Sequence, residues 1–184
     1  MNFEKFDSKE HSVNQVAGLI YDIDHWTFDS LYKNKESALK DISRDLLSHD
    51  HDDLYVIVCK GEIIGIIVLW INKRPSFIQY LKEFTSFKLL AIDILDYFVI
   101  SDVNEDEIYI AELGISSKYR GKGIGSKVIS KVIEKASEDN FKKVKLDADF
   151  RNTGAKRLYE KLGFKVFNKK EIFKRGMYNL EYDL

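Results

Sequence analysis

The stretch from Tyr109 to Ser126 constrains this chain more than any other. It reads Tyr-Ile-Ala-Glu-Leu-Gly-Ile-Ser-Ser-Lys-Tyr-Arg-Gly-Lys-Gly-Ile-Gly-Ser. Ile108, Ile110, Leu113 and Ile115 are β-formers in a mostly apolar run, which predicts a strand. Gly121, Gly123 and Gly125 then break the run into a loop. Val128, Ile129, Val132 and Ile133 follow at the spacing of one buried helix face. A strand, a glycine loop and a helix N-terminus in that order make an anion site. Glycines let successive backbone N–H groups turn inward without a Cβ clash. The unpaired N–H groups of the first helical turn aim at the same spot. The helix dipole contributes only about 0.3–1 kcal/mol when exposed, so the N–H array, with Arg120 and Lys122 beside it, must supply the rest. The loop Arg120, Gly121, Lys122, Gly123, Ile124, Gly125 and Ser126 is therefore expected to cradle a pyrophosphate.

The spacing sorts the kinds of pyrophosphate loop. A P-loop requires Lys and then Ser or Thr directly after its last glycine, whereas here Ser126 precedes Lys127. A dinucleotide loop requires its third glycine at position 126, which is Ser126, although Asp147 stands where an acidic ribose partner would. The pattern Arg120-x-x-Gly123-x-Gly125 resembles the coenzyme A loop of the GNAT superfamily of N-acetyltransferases. Downstream, Asn152, Ala155, Leu158, Tyr159, Gly163 and Phe164 resemble a second motif of the same superfamily, one helix and one strand later. The resemblance covers about Ile108 to Phe164. It implies an α/β (α+β) fold with a mixed, mostly antiparallel central sheet flanked by helices. It also implies acetyl-CoA as co-substrate. The backbone of Leu113, Gly114 and Ile115 would hold the pantetheine arm, and Asn152 and Ala155 would contact the same coenzyme. Tyr159 would face the thioester sulfur.

Composition narrows the setting. The chain has 184 residues, 45% hydrophobic and 32% charged, which suits one soluble domain spanning 1–184. A net charge of -1 gives no footprint for nucleic acid or an anionic membrane. Cys59 is the single cysteine, so no internal disulfide forms, and Met1 leads into charged residues rather than a signal peptide. A cytoplasmic protein is expected.

Along the chain, strands are expected at Asn2–Asp7, Leu54–Cys59, Ile63–Ile71, Lys142–Ala148, Phe164–Phe167 and Met177–Asp183, besides the one before the glycine loop. Helices are expected at Ser12–Tyr21, Lys35–Ser48, after the glycine loop, and at Asn152–Leu162. Residues 72–107 form a long apolar insertion between the third and fourth strands, read as one or two helices. Being apolar on more than one side, they are expected to be buried on both, capping an acceptor cleft, enlarging the core or forming a homodimer surface. The segment His49-Asp-His-Asp-Asp53 carries ligand-type residues, but its spacing fits no helical or strand ligand set. A solvated loop, and no metal, is expected there.

For chemistry, Tyr159 is the expected donor to the leaving thiolate, since a phenol with a reference pKa of about 10 stays protonated at neutral pH. Asp147 and Glu112 are alternative bases for the amine proton, with Tyr109 positioned to hold a relay water and Asp149 a weaker candidate. The aromatic and acidic stretch Tyr21 to Tyr32 reads either as a helix-to-helix connection or as an acceptor rim. In the second reading Asp22, Asp24 and Asp29 attract a cationic amine, while Tyr21 and Trp26 pack on its alkyl part. The acceptor is then a small amine; a peptide or protein amine keeps the same chemistry. A non-catalytic acyl-CoA sensor is the alternative from another class.

Overall fold

The computed structural model describes residues 1–83, 85–172 and 175–184. In chain order the elements are β1 (Asn2–Lys5), α1 (Val13–Ile23), α2 (His25–Leu31), α3 (Lys35–Ser48), β2 (Leu54–Cys59), β3 (Glu62–Ile71), α4 (Phe77–Glu83) and α5 (Phe87–Val99). They continue as β4 (Glu107–Ile115), a short 3-10 turn Ser117–Tyr119, α6 (Ile124–Glu138), β5 (Lys143–Asp149), α7 (Thr153–Lys161), β6 (Lys165–Ile172) and β7 (Arg175–Asp183). The seven strands hydrogen-bond in the order β1-β2-β3-β4-β5-β7-β6. β1–β2, β2–β3, β5–β7 and β6–β7 pair antiparallel and β4–β5 pairs parallel, so the sheet is mixed and mostly antiparallel as expected. The chain gathers into two compact units.

The first unit holds Met1–Val68, Ser76–Asp93 and Glu112–Lys122. Its helices begin where side chains satisfy first-turn N–H groups: Ser12 accepts from the Gln15 amide, Asp24 from Thr27 and Asn34 from Ser37. Val16, Ala17, Ala38, Ile42 and Leu46 turn inward from α1 and α3 onto Val56 and Ile66 of β2 and β3. The sequence predicts a helix over Ser12–Tyr21 and then a connection or acceptor rim over Tyr21–Tyr32. The structure extends α1 by two residues and adds α2, because Asp24 restarts the helix immediately. From the insertion, Ile92 joins this core. Thr85 Oγ1 donates to Asp45 Oδ1 at 2.7 Å and Ser86 Oγ to Asp41 Oδ2 at 2.8 Å, tying the start of α5 to α3.

The second unit holds Leu69–Pro75, Ile94–Ala111 and Gly123–Leu184. β5 lies between β4, paired from Glu107↔Lys143 to Ile110↔Leu146, and β7, paired from Lys143↔Asp183 to Asp149↔Met177. Helix α6 buries Val128, Ile129, Val132 and Ala136. Val99, Ile100, Tyr109 and Met177 form a further core with Trp70 beside them. β6 runs five residues past the expected Phe167, as the edge strand of a hairpin with β7. The insertion departs from expectation in its burial. Ile92, Val99 and Ile100 are buried, but Phe77, Ile78, Leu81, Phe87 and Phe98 are exposed. Among the described residues no helix is long and apolar enough to cross a membrane.

Candidate active site

The glycine loop has the backbone its composition requires. Gly121 and Gly123 both sit at φ 73°, in the left-handed region that a side chain disfavours. Gly123 is the N-cap of α6 and, unlike the caps of α1, α2, α3 and α7, brings no side-chain acceptor to the first turn. The Lys127 amide bonds back to the Gly123 carbonyl at 3.1 Å, so the amides of Ile124, Gly125 and Ser126 are the ones left for an anion. The two cations beside the loop are drawn back toward the chain that precedes it. Arg120 Nε donates to the Ile115 carbonyl at 2.7 Å, and Lys122 Nζ to the Lys118 carbonyl at 3.1 Å. A Cβ built on Gly121 or Gly123 meets nothing within 4 Å, so the space in front of the loop is open.

The candidate catalytic groups of the second unit form one cluster. Tyr109, on β4, is buried and donates from Oη to Asp147 Oδ2 at 2.9 Å. Ser101 donates to the same carboxylate twice, from its amide to Oδ2 at 2.7 Å and from Oγ to Oδ1 at 2.6 Å. Burial pushes the Asp147 carboxyl up, against the opposing pull of the bonds from Ser101, Asn179 and Tyr109. The Asn179 side chain, fully buried, donates to the Val99 carbonyl at 3.2 Å. Tyr159 keeps part of its surface exposed, yet its hydroxyl is pushed up to about 12, first by burial and then by the negative charge of Asp147. The phenol is thus a firmly held proton. Sequence reasoning picked out Tyr109, Asp147 and Tyr159 but missed Ser101 and Asn179. Neither carried a signal: Ser101 lies in a loop, and Asn179 is one of several polar residues in β7, Arg175-Gly-Met-Tyr-Asn-Leu-Glu-Tyr-Asp183.

Two further predicted residues have local duties. Asn152 caps α7, its Oδ1 accepting from the Ala155 amide at 3.0 Å. Asp149 is held by Arg151 through its amide at 2.7 Å, Nε at 2.8 Å and an outer guanidinium nitrogen at 2.5 Å. Burial raises the Asp149 carboxyl, but the Arg151 bonds prevail and leave it below the usual range.

The first unit corrects the picture of an acidic rim. Tyr21 is buried and stacks on Phe28 with ring centroids 5.6 Å apart, and its hydroxyl donates to Asp29. That bond, burial and the charges of Asp29 and Asp22 push the Tyr21 phenol up to about 12. Asp22 lies 3.3 Å from Lys35 Nζ and 3.8 Å from an Arg120 guanidinium nitrogen. Asp24 caps α2. The three acids are therefore committed to the fold: a cap, a tyrosine partner and an ion-pair node. Of the predicted rim, Trp26 and Asp29 are the exposed members, Asp29 while accepting from the Tyr21 hydroxyl. Glu112 and the backbone of Leu113, Gly114 and Ile115 continue β4 in this unit, and the Ser116 amide donates to the Ile64 carbonyl at 2.9 Å.

These elements match known proteins. The family model for the acetyltransferase (GNAT) family matches residues 20–164. The N-alpha-acetyltransferase 30 of Xenopus laevis is 45% identical over 56 residues, 30% of this chain and 20% of that protein, so the match spans only a fifth of that relative. The N-acetyltransferase of Staphylococcus aureus Mu50 superposes with a TM-score of 0.66 at 20% identity, covering 99% of this chain and 100% of that one. A Bacillus subtilis acetyltransferase solved in complex with CoA gives 0.56 at 16% identity, covering 100% and 97%. With its two motifs, its mixed sheet and a family match across most of its length, this chain belongs to the acetyltransferase (GNAT) family of N-acetyltransferases.

Proposed function

We propose that the protein transfers the acetyl group of acetyl-CoA to a primary amine, and that the acceptor is a small molecule. The observation that carries the acetyl-CoA assignment is the uncapped start of α6 behind two left-handed glycines, where a pyrophosphate would accept from the amides of Ile124, Gly125 and Ser126. The backbone of Leu113, Gly114 and Ile115, with Asn152 and Ala155, would hold the arm that leads to the thioester.

In the reaction the amine nitrogen attacks the thioester carbonyl, a C–N bond forms and the C–S bond breaks. One proton passes from the amine to the base, and the coenzyme leaves as a thiolate that takes its proton from solvent. Tyr159 is the group assigned to the thiolate. At a pKa of about 12 it is a weaker acid than a thiol, whose reference value is about 8.5. Its part is therefore to donate a hydrogen bond to the developing negative charge rather than to surrender its proton outright. For the amine proton, Asp147 is the assigned acceptor, through Tyr109. The phenol passes its proton along the 2.9 Å bond to Asp147 while taking one from the amine or its water. Burial, which raises the Asp147 carboxyl, makes it a stronger base. Glu112 is the alternative.

A small cationic acceptor rests on the α1–α2 junction, where exposed Trp26 could pack on an alkyl chain. The ties of Asp22, Asp24 and Asp29 weaken the charge part of that reading. A peptide N-terminus is a second acceptor class, favoured by the likeness to N-alpha-acetyltransferase 30. The test is thiol release from acetyl-CoA with polyamines, amino acids, aminoglycosides and short peptides in parallel. Turnover with a small amine supports the reading, turnover with peptides alone moves the acceptor to the second class, and no acetyl-CoA binding by calorimetry overturns the family-based function.

A further inference from the structure

The C-terminal end of α3 brings together three metal-ligating side chains. Asp45 lies in the last turn, His49 is the C-cap residue and His51 follows in the loop before β2. One potential ligand atom from each lies within 4.8 Å of the other two. The sequence reads His49-Asp-His-Asp-Asp53 as a solvated loop whose spacing fits no ligand set, and Asp45 lies outside that segment. The helix adds it: four residues apart, Asp45 and His49 are neighbours on one face.

We infer that Asp45, His49 and His51 form a binding site for a divalent transition metal, with zinc as the best match. Two imidazoles and a carboxylate are ligands zinc accepts, and three protein ligands with a water in the fourth position is one of its habitual arrangements. Magnesium and calcium take oxygen ligands and are disfavoured here. Tetrahedral zinc at bonds of about 2.0–2.1 Å sets ligand atoms about 3.4 Å from one another, and these already lie within 4.8 Å.

Three features prepare the site. Each ligand has one polar atom already held by the protein: His49 Nδ1 by Ser48 Oγ at 2.7 Å, His51 Nε2 by the Asp45 carbonyl at 3.3 Å, and Asp45 Oδ1 by Thr85 Oγ1 at 2.7 Å. Such bonds fix the imidazole tautomers and leave the other ring nitrogen for a metal. The two rings also already lie together, with centroids 4.3 Å apart. Finally, the last turn of α3 carries Asp45 and no basic residue, although the negative end of the helix dipole disfavours an acid there. A bound cation reverses that repulsion. It would clamp the end of α3 to the loop before β2 and, through Thr85, to the chain that leads into α5.

The test is calorimetric titration of the full chain, free of any polyhistidine tag, with Zn2+, with Mg2+ as control and Co2+ absorption as a report of tetrahedral geometry. One equivalent of Zn2+ per chain and none of Mg2+ is expected. His49→Ala, His51→Ala and Asp45→Asn should each weaken Zn2+ at least tenfold. Thr85→Val, a positioning change, should weaken it about 10–100-fold. The wild-type imidazole resonances give a reading that does not depend on the folding of any variant. Those of His49 and His51 should shift with Zn2+ while those of His11 and His25 do not. No Zn2+ binding, an undiminished equivalent in folded variants, or shifts confined to His11 and His25 would each overturn the site.

Discussion

At the scale of single residues, Tyr159 and Asp147 act as a pair, since the charge of one raises the pKa of the other. Tyr159→Phe keeps the ring that packs 6.2 Å from Phe164 and removes only the hydroxyl. Loss of a positioned donor to a developing charge costs about 10²–10³-fold in kcat. Acetyl-CoA affinity should stay within a few-fold, and steady-state kinetics beside calorimetry separate the two. Full activity in a folded Tyr159→Phe variant would end the donor role. For Asp147→Asn, the rate should fall mainly at neutral pH and recover toward high pH, where the amine is already neutral. A profile parallel to wild type would shift attention to Glu112. Tyr159 was legible in the sequence because it sits in a motif with fixed spacing. The setting of Asp147 was not, because Ser101 reaches it from 46 residues away and no local pattern announces that contact.

Elements were legible where periodicity and punctuation agreed. α3 and β2 fall at their expected bounds, each an unbroken pattern between turn residues. α2 went unseen because seven residues hold too few turns for a period, and its start depends on one cap, Asp24. The insertion was seen as helical, but which of its apolar residues would be covered depends on the neighbours the fold supplies. Two glycines carry predictions at this scale. Gly123→Val places a β-branched residue at φ 73°, a strain of about 1–3 kcal/mol, and tilts the amides that follow. Losing one hydrogen bond to a charged group is worth about 1.5–3 kcal/mol, so acetyl-CoA affinity should fall about tenfold or more. Unchanged calorimetric affinity in the folded variant would remove the pyrophosphate from this loop. Gly65, inside β3, serves packing instead: an added Cβ would stand 2.4 Å from the Gly114 carbonyl oxygen. Gly65→Ala should cost about 1–3 kcal/mol, read as a lower urea midpoint, and a midpoint equal to wild type would mean the strands part without strain. A glycine within a strand pattern already hints at such an approach.

For the whole molecule, the mixed sheet followed from two motifs and the alternation of strands and helices, whereas its partition into two compact units depends on long-range packing that no window of sequence displays. Buried charges then set how the fold responds to acid, and they pull in opposite directions. Glu107 and Lys145 form a buried ion pair at 2.7 Å. Burial pushes the Glu107 carboxyl up, but the bonds from Lys145 and the Asn104 amide outweigh it and hold it below the usual range. A carboxyl lowered by folding stabilises above its unfolded pKa, about 4.3, and that stability is lost as pH falls through the lower folded value. Asp147 has the opposite sign. Raised by burial, it binds its proton more tightly in the folded state, so its contribution declines as pH rises from the unfolded value of about 3.9 toward the folded one. Glu107→Gln should therefore flatten the fall in stability below about pH 4.3, while Asp147→Asn should make stability rise more steeply with pH above about 3.9. Both variants shift overall stability as well, so the slope of the urea midpoint against pH is the quantity to compare with wild type. If the two slopes change in the same direction, one of these carboxyls has its folded-state shift assigned with the wrong sign.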